Sequence, residues 1–139
     1  MEAFKGKFTR TSAVQYEDLL KALGVNFLFR KAATASTPVC EISEEGGGWN
    51  IKTSTTLKTL ELKFKLNQEF DESTPDGRDV RALATMEDGK IVMVQKAKSE
   101  KQKSTKSIRE MNSPNELINT MTVDGVDGLV CVQKFKRVA

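Results

Sequence analysis

Short alternating runs cut by turn chemistry dominate this chain and limit what it can fold into. Val39 to Ser43, Trp49 to Ser54, Leu57 to Leu66, Val80 to Thr85, Ile91 to Gln95, Ser107 to Met111, Leu117 to Val123 and Leu129 to Arg137 all read as strands. Between them lie Glu45-Gly46-Gly47-Gly48, Pro75-Asp76-Gly77, Asp88-Gly89, Asn112-Ser113-Pro114-Asn115 and Asp124-Gly125-Val126-Asp127-Gly128. These are the glycine, proline and asparagine signals of hairpin turns. With Phe4 to Thr11 and a short piece around Phe70, the count is about ten strands. Strands in hairpin order form a meander that closes as a barrel or packs as a sandwich. A chain of 139 residues makes one domain of this kind, spanning 1–139.

Helical spacing occurs near the start. Tyr16, Leu19, Leu20 and Leu23 fall on one face, and Gly24 suits a left-handed C-terminal cap. Asn26 is a good N-cap for a second short helix ending near Ala35, with Pro38 beyond it. The pair spans about 15–35, and Phe27, Leu28 and Phe29 are expected to cover something apolar. The second helix lacks the basic exposed face that reading DNA requires.

Composition removes whole classes of chemistry. There is no histidine, so Ser-His-Asp and Cys-His nucleophiles and His-based zinc sites are excluded. No carboxylate or lysine pair stands out as a substitute, and the expectation is a protein that is not an enzyme and needs no metal or cofactor. Cys40 and Cys131 are too far apart for a CxxC motif and are expected to be inert apolar residues. The start, Met1-Glu2-Ala3-Phe4-Lys5, lacks the apolar stretch of a secretory signal, and no run of apolar residues is long enough to span a membrane. A cytoplasmic location with reduced thiols is the expectation.

The net charge is +3, and between Lys96 and Arg109 six basic residues face one acid, Glu100. No aromatic residue separates these cations, whereas a single-strand binder sets stacking rings beside its cations. The window reads as a solvated hairpin whose lysines protect its edges, and no nucleic-acid partner is expected.

Parity in the last strand separates a dry core from a cavity. Leu129, Cys131, Gln133 and Phe135 share one face, and Val130, Val132, Lys134 and Lys136 the other. The lysine face must meet solvent, which sends Gln133 inward. Arg109 shares a face with Ser107 and Met111, but parity leaves its direction open. If it points inward it needs an anion or several acceptors, because an unpaired buried charge is costly.

The run WNIKTSTTLKTLELKFKL, from Trp49 to Leu66, resembles the central signature of the intracellular lipid-binding proteins. EFDESTPDGRDV, from Glu69 to Val80, is similar to its continuation. FKGKF, from Phe4 to Phe8, resembles the first-strand motif, with Phe8 where tryptophan is usual; Tyr16 to Val25 with Arg30 and Lys31 resembles the helical lid, and VCVQKFKRV, from Val130 to Val138, the last strand.

The resemblance implies an all-β fold, a ten-stranded antiparallel up-and-down barrel (clam) capped by a two-helix lid and enclosing one hydrophobic ligand. Members include fatty-acid-binding and cellular retinoid-binding proteins. In fatty-acid binders two arginines and a tyrosine commonly hold the carboxylate. Arg109 matches the first arginine, while Gln133 stands in place of the second and Phe135 in place of the tyrosine. The Gln-x-Phe pair looks like the retinol-binding branch, and Arg109 like the acid-binding branch. The resulting expectation is a long-chain fatty-acid carrier, with a retinoid or another apolar ligand as the alternative.

By the same resemblance Leu57, Pro75 and Asp76 fall at the portal, with Leu57 replacing a common phenylalanine, and Pro38 and Thr53 join the portal and cavity residues. Arg78 reads as a partner that holds the Asp76-Gly77 turn. Tyr16, Leu20 and Phe29 read as lid packing with ligand contact as a second role. Lys21, Arg30 and Lys31 suit transient docking on anionic membranes, and similar lid residues act as a nuclear import signal in some relatives. A monomer is expected.

Overall fold

In a computed structural model describing residues 1–56 and 58–139, ten antiparallel strands form one sheet wrapped into a nearly closed barrel. They are β1 (Gly6–Val14), β2 (Val39–Glu45), β3 (Gly48–Ser54), β4 (Thr59–Phe64), β5 (Phe70–Ser73), β6 (Asp79–Glu87), β7 (Lys90–Ala97), β8 (Thr105–Ser113), β9 (Glu116–Val123) and β10 (Val130–Arg137). The sheet order is β4-β3-β2-β1-β10-β9-β8-β7-β6-β5, so strands adjacent in sequence pair, except β4 with β5, and β1 pairs with β10. The two edge strands, β4 and β5, share no ladder. This is the expected up-and-down barrel.

Two helices fill the β1–β2 connection: α1 (Tyr16–Ala22) and α2 (Phe27–Ala35). Glu17 and Asp18 in the first turn of α1 and Lys21 in its last complement the helix dipole. Gly24, at φ +84°, ends it by donating its N–H to the Lys21 carbonyl at 3.0 Å. Asn26 caps α2 as expected, its Oδ1 accepting from the Phe29 N–H at 3.0 Å.

The first strand differs from its expected span. Phe4 lies in a single 3-10 turn, Glu2–Phe4, and β1 begins at Gly6 and continues to Val14. The reason is Gly6, at φ +142°: a Cβ there would overlap the Arg137 guanidinium and sit 2.8 Å from the Ala139 carbonyl oxygen. Arg137 closes this end of the barrel. It stacks on the Phe8 ring at 4.6 Å and donates to the carbonyls of Lys5 (2.6 Å), Pro114 (2.8 Å) and Ala3 (3.0 Å).

The apolar core is divided. Phe4, Phe8, Ile42, Trp49, Phe64, Ile91, Leu117 and Phe135 fill the end away from the lid. A second cluster, Leu19 with Val123, Leu129 and Cys131, seats α1 on β9 and β10. From the helical stripe, Leu19 is the residue that becomes fully buried, while Leu20 stays half-buried. α2 buries nothing. Phe27, Leu28 and Phe29 are 58%, 78% and 68% exposed, which corrects the expectation that they cover apolar surface and that Phe29 packs within the lid. The helix is held by polar contacts instead, and the Phe27 ring carries the Arg30 and Lys31 cations at 5.7 and 5.5 Å.

Between the two clusters the barrel is hollow. Thr53, Glu72, Gln95, Arg109, Met111 and Met121 face inward by register, yet each retains accessible surface. The total accessible surface, 8056 Å², exceeds by about 900 Å² the ~7,200 Å² that scaling gives for a solid globule of 15.4 kDa.

Candidate functional site

Strand register settles the direction of Arg109. It lies opposite the fully buried Ile91 on one side and the buried Asn119 on the other, and Asn119 in turn lies opposite Gln133. Directly opposed residues share a face, so Arg109, Asn119 and Gln133 form one inward row across β8, β9 and β10. Gln133 is 7% exposed and Phe135 lies in the core below it, as the lysine-face argument required.

Arg109 is poorly supplied with partners. Among the described residues its one side-chain hydrogen bond is Nη1 to Ser107 Oγ, at 3.4 Å. Burial pushes its pKa below the ordinary value, with Cys40 and Glu72 the only opposing influences. Glu72 is itself desolvated, its pKa raised by burial and only partly restored by a hydrogen bond from Gln95 Nε2 at 2.7 Å. An arginine does not give up its proton in such a place, so the interior holds a cation short of counter-charge. Beside it the Asn119 Oδ1 is buried with no partner. This centre can accept the anionic end of a guest.

Arg10 is a second inward cation that sequence reasoning missed. It lies opposite the buried Phe135, and its Nη1 donates to Gln133 Oε1 at 3.3 Å. Its Nη2 donates to the carbonyls of Ser36 (2.9 Å) and Ala33 (3.5 Å), and its guanidinium stacks over the Tyr16 ring at 5.1 Å. The signal was present, since Arg10 shares the parity of Phe8. Asn119 was equally legible from its parity with Leu117 and Val123.

The other expected residues divide. Arg78 is 4% exposed and fully committed to structure: Nε and Nη2 grip the Asp76 carboxylate at 2.6 and 3.2 Å, and Nη1 donates to the Lys103 carbonyl at 2.8 Å. Asp76 is thereby fixed in the β5–β6 turn. Pro75 is exposed there. Pro38 is buried under the lid, its carbonyl accepting from the Arg10 N–H at 3.1 Å. Thr53 lies opposite Cys40 in the wall of the cavity. Leu57 lies outside the described residues.

Of the lid cations, Lys21 is exposed, Lys31 pairs with Glu17 at 3.0 Å, and Arg30 donates to the Val25 carbonyl at 2.7 Å. The lysines of the β7–β8 region, at 96, 98, 101, 103 and 106, are all exposed, while Arg109 is removed from them into the interior. Cys40 and Cys131 are buried free thiols, and burial pushes Cys131 up to about 11. Among the described residues no helix is long and apolar enough to cross a membrane.

The chain is 41% identical over 140 residues to cellular retinoic acid-binding protein 2 of Homo sapiens, covering 99% of each. Its backbone is similar to apo lipid binding protein 8 of Caenorhabditis elegans, with a TM-score of 0.92 at 30% identity over 99% of this chain and 97% of that one. It is also similar to fatty-acid-binding protein 1 of Echinococcus granulosus, with a TM-score of 0.89 at 34% identity and full coverage of both. The family model for the lipocalin / cytosolic fatty-acid binding proteins matches residues 5–138. A family model that matches nearly the whole chain and a full-length relative at 41% identity agree with the barrel and its two helices: this chain belongs to the lipocalin / cytosolic fatty-acid binding protein family.

Proposed function

We propose that the protein is a cytoplasmic carrier that holds a long-chain fatty acid in its barrel, carboxylate toward Arg109 and Gln133, and delivers it between membranes and enzymes without catalysing a reaction. The observation that carries this reading is an enclosed guanidinium with a single 3.4 Å hydrogen bond. An acid supplies the missing counter-charge, and an alcohol does not. Burying about sixteen methylenes contributes roughly 13 kcal/mol gross at ~0.8 kcal/mol each. Binding then loses several kcal/mol to ordering, while a charge-assisted hydrogen bond adds about 1.5–3 kcal/mol. The tail sets affinity and the head-group residues set selectivity.

The second reading is a retinoid carrier. Gln133 and Phe135 in place of arginine and tyrosine favour it, as does the likeness to a retinoic acid-binding protein. Organic extraction of the purified protein followed by mass spectrometry, with displacement by oleate, retinoic acid and retinol, separates the two. A fatty acid in the extract with oleate the strongest competitor supports the first reading, and retinol competing as well as oleate refutes it.

Delivery involves transient contact of a monomer with anionic membranes through the lid. Exposed Phe27, Leu28 and Phe29 beside Lys21, Arg30 and Lys31 support this, since apolar side chains flanked by cations suit a negatively charged bilayer surface. Transfer to anionic vesicles should slow as salt rises and slow again when the three cations are neutralised. Transfer insensitive to both removes the membrane step. The same cations are candidates for a nuclear import signal, which localisation of the triple variant tests.

A further inference from the structure

The amide of Gln133 can present either of two faces to the cavity, and they suit different ligands. With its nitrogen turned inward it is a second donor beside the Arg109 donor, the pattern a carboxylate satisfies with its two acceptor oxygens. With its oxygen inward it is an acceptor beside a donor, the pattern a hydroxyl satisfies. Which face is shown decides between an acid and an alcohol of the same chain.

Arg10 selects the face. A guanidinium can only donate, so the Gln133 end that meets Arg10 Nη1 at 3.3 Å is the oxygen. Nε2 is thereby turned to the β9 side, the side of Arg109. There it meets only Met121 Sδ at 3.9 Å, a weak acceptor that leaves its donor capacity for a ligand. Among the described residues the neighbouring Asn119 Oδ1 has no partner, so it does not impose the choice. Arg10 itself is held from the far side by the Ser36 and Ala33 carbonyls at 2.9 and 3.5 Å and by the Tyr16 ring at 5.1 Å.

We infer that Arg10 is a positioning residue for head-group specificity: it locks the Gln133 amide nitrogen toward the cavity and thereby makes the barrel select a carboxylate over a hydroxyl. The inference rests on the carrier reading above. Because Arg10 takes its own orientation from the end of α2 and from α1, the selectivity also depends on a seated lid.

The test compares displacement affinities of oleic acid and oleyl alcohol, which share a chain and differ in head group, for wild type, Arg10→Met, Gln133→Leu and the double variant. Wild type is expected to prefer the acid. Arg10→Met should lower the acid-to-alcohol ratio about tenfold, the worth of one hydrogen bond to a charged group. Gln133→Leu should lower it similarly, and the double variant no further. A ratio unchanged in Arg10→Met, an equal loss for both ligands, or an Arg10→Met effect that persists undiminished in the Gln133→Leu background overturns the inference and leaves the carrier reading intact. If Arg10→Met does not fold, Arg10→Lys, which lacks the planar fork that reaches Gln133 and Ser36 together, is read by the same ratio: a fall supports the inference and a wild-type ratio overturns it. A wild type that binds neither ligand removes both readings together.

Discussion

Replacing Arg109 by methionine separates what the arginine does for a ligand from what it does to the fold. The guanidinium is enclosed and, among the described residues, its side-chain hydrogen bond is to Ser107 Oγ at 3.4 Å, with no carboxylate in ion-pair distance. Exchange of a buried, poorly paired ion for an apolar side chain of similar length is neutral or stabilising by about 1–4 kcal/mol. For a domain of this size each kcal/mol shifts the midpoint by roughly 3 °C, so delipidated Arg109→Met should melt no lower than delipidated wild type and up to about 12 °C above it. Acid binding should move the other way. Loss of a charge-assisted hydrogen bond costs about 1.5–3 kcal/mol, which weakens oleate roughly 10- to 150-fold. Oleyl alcohol should be weakened far less. Urea denaturation of the delipidated proteins and displacement titrations give the two quantities independently. A variant less stable than wild type by more than about 1 kcal/mol would refute the reasoning, because the cation would then be well paired within the protein.

Arg137→Ala should cost about 2–4 kcal/mol in urea denaturation, since it removes three carbonyl hydrogen bonds and the stack on Phe8 together; a loss below about 0.5 kcal/mol would count against Arg137 as the closure of the barrel. Asp76→Ala strands the 4%-exposed Arg78 and should cost about 3–5 kcal/mol, with much of the loss recovered in the Asp76→Ala, Arg78→Met double variant; additive losses would show that the pair does not act as a unit. Burial raises the Glu72 pKa above its ordinary value near 4.5, so the folded protein binds this proton more tightly than the unfolded chain. Stability from this group is therefore full below pH 4.5 and falls as pH rises through the raised value. Glu72→Gln should gain on wild type across that window, and a difference that stays constant from about pH 4 to about pH 7, a range that brackets the ordinary carboxylate pKa, would sink the assignment.

Much of the barrel was legible because its signals are local. Turn residues at Asp88-Gly89 and Asp124 to Gly128 define hairpins whatever surrounds them, and Asn26 and Gly24 act on backbone groups within one turn of the helix. Gln133 was legible because the lysines at 134 and 136 left its strand one possible orientation. Arg109 was not, because its own strand mixes polar and apolar residues on both faces. Its direction came from Ile91 and Asn119 on the neighbouring strands. The β1 register shift between Arg10 and Ser12 broke the period-2 reading: beyond it Ala13, not Ser12, lies opposite Gln133. The apolar run at Phe27 to Phe29 suggested burial, but among the described residues nothing covers that face of α2.

The sequence by itself determined the number and order of strands, the two-helix insertion and the outward lysines, because alternation, turn chemistry and caps act over a few residues. The tertiary structure alone decided that Arg109, Gln133 and Arg10 converge on one hollow. They lie on three different strands, and their meeting depends on register and on a bulge, which are set by how the whole sheet closes upon itself.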